Sequence, residues 1–87
     1  MARYSIRILH SAAKEIEEIS TKKQRQAIVR RIGLLAENPR GVGCEKLAGY
    51  DSRFRVRQGS YRIVYSIEDN VLTVWVVKVG HRKDVYR

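Results

Sequence analysis

The feature that most constrains the fold is a series of short alternating segments in the last third of the chain. Three segments have the length and the β-branched and aromatic content of strands, at about Arg53–Gln58, Tyr61–Ile67 and Val71–Val79. Two residues separate the first segment from the second, and three separate the second from the third. Because such short spacers favour hairpins, the sequence predicts three consecutive antiparallel strands.

The first residues of the chain predict a strand followed by a short helix. Polar and apolar residues alternate over Arg3–Leu9, which is typical of a strand with one buried face. Ser11 is a candidate N-cap residue for the helix, which we expect to end at Ser20. The apolar residues at helical spacing between them are Ala12, Ile16 and Ile19.

A second helix is predicted between Thr21 and about Glu37. Thr21 and Gln24 have the spacing of a capping box, in which two side chains bind free backbone N–H groups at the helix start. Pro39 ends the helix because proline disfavours helical geometry in the residue before it. The buried stripe of this helix comprises Ile28, Ile32 and Leu35. The connection after it, Arg40–Ser52, is rich in glycine, and we interpret it as a mobile loop.

These elements give the order β-α-α-β-β-β and the fold class α+β. A chain of 87 residues is long enough for one modest core, so we treat residues 1–87 as one domain. The economical arrangement places the two helices on one face of a small antiparallel sheet. We expect Tyr61, Tyr65 and Trp75 to pack in the sheet or in the core.

The charge of the chain indicates an anionic partner. Eighteen Lys and Arg residues against nine Asp and Glu residues give a net charge of +9. Residues two apart on a strand share a face, so the first of the three strands carries a cationic row of Arg53, Arg55 and Arg57, with Phe54 and Val56 turned to a core. Arg62 lies on the next strand. Nucleic acid, an acidic protein and an anionic membrane surface are all compatible with this charge.

Several classes of protein are disfavoured by the sequence. The longest apolar run, 71–77, is too short to span a bilayer, and the N-terminus does not resemble a secretory signal. A single cysteine, Cys44, is consistent with a reducing compartment, so we expect a cytoplasmic protein without a membrane partner. Glu68 and Asp69 fall together in the predicted turn, far along the strands from Arg53. We therefore predict no metal and no cofactor.

Each candidate site residue also has a structural interpretation. Arg53, Arg55 and Arg57 are compatible with the solvated face of an edge strand, where charge prevents aggregation. Arg62 is compatible with a structural salt bridge inside an apolar hairpin. His81 is compatible with a surface position, and Tyr86 with simple packing of the terminus. The concentration of arginines in one segment favours the functional interpretation.

The C-terminal half also resembles a known family. Residues 46–86 contain the basic strand RFRVR, the hairpin segment GSYRIVY and the closing segment VGHRKDVY. In combination these segments resemble the RelE branch of the RelE/ParE toxin superfamily. The resemblance implies a type II toxin with this β-α-α-β-β-β fold, which enters the ribosomal A site and binds mRNA and rRNA there. It also implies a cognate acidic antitoxin of the RelB kind, in a hetero-oligomer.

The activity implied by the resemblance is metal-free cleavage of mRNA. The ribose 2′-OH attacks the adjacent phosphate and leaves a 2′,3′-cyclic phosphate and a 5′-OH. The resemblance assigns RNA binding to Arg53 and Arg55, and the cationic row adds Arg57. By the same resemblance Arg62 grips the scissile phosphate, Arg82 lies near the leaving oxygen, and Tyr86 is the C-terminal aromatic residue.

Two departures from the family leave the general base open. Family members often have lysine where this chain has Arg53 and Arg55, and a protonated guanidinium is not a credible base. His81 replaces a lysine of the best-known member and is able to take the 2′-OH proton, because histidine titrates near neutral pH. Tyr86 and an rRNA-bound water are the other candidates. Two other functions remain as alternatives, a ParE-like toxin that binds DNA gyrase and a non-catalytic RNA-binding module.

Overall fold

The computed structural model describes residues 3–50 and 52–81 of the chain. It contains five strands, two α-helices and one 3₁₀ turn. In chain order these are β1 (Ser5–Ile8), α1 (His10–Glu17), α2 (Lys22–Leu34), β2 (Cys44–Lys46), β3 (Arg53–Gln58), β4 (Tyr61–Glu68), the 3₁₀ turn (Asp69–Val71) and β5 (Thr73–His81).

The five strands form one sheet in the order β1-β5-β4-β3-β2. The pairs β3–β4 and β4–β5 are antiparallel, which confirms the prediction from the short spacers. Strand β1 lies parallel to β5, with Ser5 opposite Thr73 and Ile8 opposite Val76, so the sheet is mixed rather than purely antiparallel. Parallel pairing of the first strand with the last depends on contacts across the whole chain, and no local pattern specifies it.

Strand β2 lies in the segment that was predicted to be a loop. It pairs antiparallel with β3, with Cys44 opposite Val56, Glu45 opposite Arg55 and Lys46 opposite Phe54. Three residues are too few to show an alternating pattern of their own. The backbone N–H of Leu47 then donates to Arg53 O, which continues the antiparallel pairing of β2 with β3.

Both helices cover the same face of the sheet, as predicted. Their apolar side chains join those of the strands in one buried cluster. Its members are Ala12, Ile16, Ile19, Ile28, Ile32 and Leu35 from the helical half, and Val56, Ile63, Tyr65, Ile67, Val74, Val76 and Val79 from the strands. Phe54 packs against the cluster, and Val56 is almost completely buried, so the apolar residues of β3 face the core as the alternation indicated.

Tyr65 joins the helical half of the protein to the sheet. Its ring is fully buried, and its hydroxyl donates to Pro39 O over 2.6 Å. Burial raises the pKa of this hydroxyl, which is therefore a neutral donor at any physiological pH. A buried tyrosine needs such a partner, so this bond fixes the chain just beyond α2 against β4.

The helix boundaries differ from the sequence prediction. The predicted break near Ser20 is present, because α1 ends at Glu17 and α2 begins at Lys22. Leu9, and not Ser11, is the N-cap residue of α1. Thr21 has the extended backbone of an N-cap, but its side chain makes no capping bond, so the capping box does not form. Residues 35–37 continue α2 only as turns, through Leu35 N to Ile32 O and similar bonds.

The hairpin between β4 and β5 carries two irregularities. Its turn is the 3₁₀ segment Asp69–Val71, after which Leu72 lies in the left-handed region with φ of 45°. The register between β4 and β5 shifts at Val64 and Tyr65, which is a β-bulge. Strand β5 extends to His81, two residues beyond the predicted end at Val79, and this extension fixes the direction of the His81 side chain.

Candidate functional site

One face of the sheet is left open by the helices, and this open face is basic. Paired residues on neighbouring strands share a face, so the register shows which side chains lie together. We define the open face by three rows across the sheet. They are Arg7, Trp75, Ser66 and Arg53; Glu45, Arg55 and Val64; and Arg57, Arg62 and Gly80.

Arg57 and Arg62 lie directly opposite each other on β3 and β4. Like charges at such positions destabilise a sheet, since the Cβ atoms are only about 5 Å apart. On the other side of Arg62 the paired residue is Gly80, which has no side chain to cover the guanidinium. An anion bound beside Arg57 and Arg62 would relieve their repulsion, and a phosphate group has the charge and the geometry for arginine.

The guanidinium of Arg62 is shielded from water. Its Nε and Nη1 atoms have almost no solvent-accessible surface, although it belongs to the open face. Electrostatic interactions are stronger in such a site than in bulk water, because the local dielectric constant is lower. Arg62 is therefore placed to stabilise a negative charge that enters the cleft beside it.

The cleft next to Arg62 has a volume of about 240 Å³ and is lined by Glu45, Arg55, Arg57 and Arg62. We call it the arginine cleft. Glu45 Oε2 lies 3.8 Å from Arg55 Nη2, with 70% of the Glu45 side chain exposed against 25% of the Arg55 side chain. Three cations and one carboxylate around a space of this size can bind a phosphate and accept a proton from a neighbouring hydroxyl.

Glu45 was not among the site residues predicted from the sequence. It lies in Arg40–Ser52, the segment interpreted as a loop, and comes beside Arg55 only through the pairing of β2 with β3. The sequence signal was the spacing alone, with a carboxylate eight residues before the first arginine of the basic strand. That signal does not identify a register.

Arg53 lies at the other end of β3, away from the arginine cleft. Its guanidinium carbon is 4.7 Å from the centre of the Tyr50 ring, a cation–π contact. Its Nε donates to Ser66 Oγ over 3.4 Å. Trp75 lies in the same row, half-buried, with its indole N–H bonded to Glu68 Oε1 at 2.7 Å. This end of the open face therefore presents aromatic rings beside cations, as nucleic-acid-binding surfaces do.

His81 lies on the opposite side of the sheet from Arg62. It pairs with Tyr61, and the two rings meet edge to face with centroids 5.9 Å apart. The two residues line a second cleft of about 280 Å³ together with Glu15, Glu18, Ile19 and the backbone of β5. The structure thus brings Arg55, Arg57 and Arg62 together, and it places His81 at the end of β5 on the helix side.

Comparison with known proteins identifies the family. The family described as "ParE toxin of type II toxin-antitoxin system, parDE" matches residues 6–86. The chain belongs to this family.

Relatives place the chain in the RelE-like branch of the RelE/ParE superfamily. It is 29% identical to toxin RelG of Mycobacterium tuberculosis over 84 residues, which are 97% of each chain. It is 30% identical to a putative RelE-like toxin protein of Escherichia coli, over 97% of this chain and 90% of the relative. The fold matches the toxin–antitoxin complex RelBE2 of M. tuberculosis with a TM-score of 0.82 and 28% identity, over 97% of both chains.

Two of the site residues suggested by the RelE resemblance, Arg82 and Tyr86, lie outside the described residues. Their roles stay predictions. Within 3–50 and 52–81, no three metal-ligating side chains cluster in a way that would hold an ion. The same part of the chain contains no helix that is long and apolar enough to cross a membrane.

A second charged cluster of this RelE-like chain lies at the far end of the sheet. Arg40 donates to both carboxylate oxygens of Asp69, over 3.1 and 2.8 Å, and Tyr4 Oη donates to Asp69 Oδ1 over 2.6 Å. The hydrogen bonds from Arg40 and Tyr4 lower the pKa of Asp69 to about 2. In return, the bond to Asp69 raises the pKa of Tyr4 and that of Arg40. This cluster fastens β1 and the loop after α2 to the 3₁₀ turn.

Proposed function

We propose that this chain is a ribosome-dependent endoribonuclease toxin that cuts mRNA in the A site without a metal ion. The observation that carries the proposal is the arginine cleft, in which a water-shielded Arg62 lies beside Arg55, Arg57 and the carboxylate of Glu45. A cleft of this composition suits one phosphodiester and an adjacent hydroxyl group. The similarity to RelE-like toxins supports the same activity.

Substrate binding in this proposal is electrostatic. Arg55, Arg57 and Arg62 hold the scissile phosphate in the arginine cleft, and Arg53 holds a backbone phosphate further along β3. Such contacts position RNA without reading its sequence. Because RNA is bound on the ribosome, rRNA phosphates would contact the same open face.

The reaction is an attack of the ribose 2′-OH on the adjacent phosphorus. The 2′-O–P bond forms, the bond from phosphorus to the 5′ oxygen breaks, and the products are a 2′,3′-cyclic phosphate and a 5′-OH. Arg55 and Arg62 stabilise the negative charge that develops on the phosphate oxygens. The leaving 5′ oxygen takes a proton from water, and the family resemblance assigns Arg82 to this oxygen.

Glu45 is the group that we assign as acceptor of the 2′-OH proton. It is the carboxylate that lines the arginine cleft, and a carboxylate oxygen can accept a proton from a neighbouring hydroxyl group. His81 is the alternative acceptor that the sequence suggested. Its side chain lies on the helix side of the sheet, so a role in the same proton transfer requires the RNA to pass around the end of β5.

Single-turnover cleavage on saturated, programmed ribosomes separates these two groups. Glu45→Gln keeps the size of the side chain but cannot take the proton, so we expect its rate to fall at least about a hundredfold with the cut site unchanged. His81→Gln should retain most of the rate and the parental pH profile. The reverse result, a large loss with His81→Gln together with the loss of an ionisation near neutral pH, would assign the base to His81.

We also propose that a cognate acidic antitoxin of the RelB kind binds this chain in a hetero-oligomer. The net charge of +9 and the solved complex of a similar toxin, RelBE2, support this partner. A disordered acidic segment that folds onto the basic surface would neutralise it. Co-expression of the adjacent gene product should relieve growth arrest and co-purify with the toxin. Growth arrest that persists when each small acidic protein encoded nearby is co-expressed would contradict this partner.

The second candidate function is that of a ParE-like toxin that binds DNA gyrase. The observation that favours it is the description of the matching family, which names ParE. Primer-extension mapping in arrested cells and a gyrase cleavage assay distinguish the two. Codon-phased cuts in mRNA without gyrase poisoning support the nuclease, and gyrase poisoning without cuts supports the ParE-like toxin. A non-catalytic RNA-binding module would give neither signal.

Action on ribosomes implies a cytoplasmic protein without a membrane partner.

A further inference from the structure

Among residues 3–50 and 52–81, no strand pairs with one side of the C-terminal part of β5. Strand β4 runs along the whole of β5, but β1 lies alongside only residues 73–76. From residue 77 to His81 no other described strand pairs with that edge. Backbone N–H groups on an open edge need another partner or water. On its other side the same stretch of β5 pairs with β4, where Gly80 lies opposite Arg62, and Arg82 follows it in the sequence.

A carboxylate of α1 accepts a backbone hydrogen bond at this edge of β5, where no described strand pairs with it. Glu15 Oε1 accepts the backbone N–H of Val79 over 2.9 Å, and Oε2 accepts a hydrogen bond from Lys78 Nζ over 3.0 Å. Glu15 is held in place because Ala12 and Ile16, its neighbours on α1, are buried in the core. The helix therefore fastens the backbone of β5 beyond the point where β1 ends.

The position of Glu15 matters because Val79 directly precedes Gly80, the residue of β5 that pairs with Arg62. Gly80 lies opposite Arg62 and places no side chain beside the guanidinium. His81 lies opposite Tyr61, and Arg82 comes next in the sequence. A lateral shift of residues 78–81 would therefore change the position of the backbone beside Arg62. Displacements of about 1 Å at such sites can cost a hundredfold in rate.

We propose that Glu15 is a positioning residue for RNA cleavage, which acts by fixing the end of β5 through Val79 N–H. The inference rests on the proposed nuclease function. Glu15 itself contacts no RNA in this proposal. The two hydrogen bonds of Glu15 have separate roles. The bond to Val79 fixes the position of the β5 backbone, and the bond to Lys78 pairs the charge of one lysine.

Three variants separate the two bonds. Glu15→Ala removes both, Glu15→Gln keeps an oxygen acceptor for Val79 N–H without the charge, and Lys78→Met removes only the ion pair. Glu17→Ala is the matched control, because it removes the same charge from the same helix at an exposed position away from β5. All four are measured in single-turnover cleavage on programmed ribosomes, with ribosome affinity measured in parallel.

We expect Glu15→Ala to lower the single-turnover rate about tenfold to a hundredfold while ribosome affinity is unchanged or slightly increased, because the net charge rises to +10 from the present +9. Glu15→Gln should recover most of the rate, and Lys78→Met and Glu17→Ala should stay near the parental rate. Equal losses of rate and affinity in Glu15→Ala, or no rescue by Glu15→Gln, would overturn the inference.

A structural measurement keeps this test apart from the proposed function. In hydrogen exchange measured by NMR, the Val79 amide should be protected in the parental protein and in Glu15→Gln, and it should exchange faster in Glu15→Ala. Unchanged exchange in Glu15→Ala would refute the positioning contact whatever the activity. If the parental protein cuts no ribosome-bound mRNA, the proposed nuclease function is refuted, and so is the effect of Glu15 on cleavage. The hydrogen-exchange measurement would still decide whether Glu15 holds the Val79 amide.

Discussion

The two faces of the sheet divide stability and function between alternate residues of the same strands. Arg62 and Ile63 are neighbours on β4, yet Arg62 belongs to the open face and Ile63 is completely buried under the helices. The helix side contains a continuous apolar cluster. On the open face, two arginines lie directly opposite each other on β3 and β4. Like charges at such positions cost stability in the absence of an anion.

This difference shows how a small domain can tolerate charge at its centre. Strand period two sends every second side chain to the core, so the burial of Val56, Ile63 and Tyr65 fixes the positions of Arg55, Arg57 and Arg62. A register slip of one residue would bury the arginines and expose the core. The apolar face therefore supplies the rigidity that holds the arginine cleft in shape.

The largest expected effect is the loss of the charge of Arg62. Arg62→Met keeps the apolar stem but removes the guanidinium that stabilises the transition state. A charge-assisted contact in a water-poor site is worth about 3–4 kcal/mol, which corresponds to a rate decrease of roughly a hundredfold to a thousandfold. Single-turnover cleavage should show this decrease, with a much smaller change in ribosome affinity.

Ile63→Val is the matched variant on the other face. Deletion of one buried methylene should lower the free energy of unfolding by about 0.5–1.5 kcal/mol and leave the single-turnover rate close to the parental value. Urea unfolding with the cleavage assay measures both quantities. The division between the faces fails if Arg62→Met loses stability and rate together, or if Ile63→Val slows cleavage as much as Arg62→Met does.

A smaller effect is expected at one end of the cationic row. Arg53→Ala should weaken ribosome binding by several-fold and leave the rate on saturated ribosomes nearly unchanged, because Arg53 holds a phosphate that does not react. Each lost phosphate contact should lower the slope of log affinity against log salt by about 0.7. Titrations at three or more salt concentrations measure the slope. A variant with an unchanged slope would show that its arginine does not contact phosphate.

The sequence predicted the parts of this design that repeat locally. Strands β3, β4 and β5 alternate over enough residues to reveal both faces, and the cationic row results from that alternation. Strand β2 has only three residues, so the sequence could not show that Glu45 belongs beside Arg55. The parallel pairing of β1 with β5 joins the two ends of the described chain, and it depends on packing rather than on any local pattern.

The role of His81 stays a prediction, but its position shows how neighbours in sequence separate in space. Its place directly before Arg82 suggested a shared site with Arg62. Strand β5 continues through Gly80 and His81, so the alternation sets Gly80 opposite Arg62 and turns His81 to the side of Tyr61. Proximity in sequence is misleading in an extended strand, because adjacent side chains point in opposite directions.

The smallest expected effect concerns the acid stability of the far end of the sheet. The bonds from Arg40 and Tyr4 lower the pKa of Asp69 to about 2, from an ordinary value of 3.8. A carboxyl group with a lowered pKa in the folded state adds stability above its ordinary pKa, and this stability is lost as the pH falls through the folded value. The contribution should therefore be complete above about pH 4 and disappear between about pH 4 and pH 2.

Asp69→Asn tests this contribution, because it removes the ionisable group and leaves the arginine cleft untouched. The difference in unfolding free energy between the parental protein and Asp69→Asn should be constant near neutral pH and shrink toward about pH 2. Tyr4→Phe removes one of the two donors to Asp69, so its loss of stability should narrow over the same interval. A difference that stays constant down to the lowest pH would mean that Asp69 is not held as a carboxylate by Arg40 and Tyr4. The exposed cluster would then act on stability through the shape of the 3₁₀ turn alone.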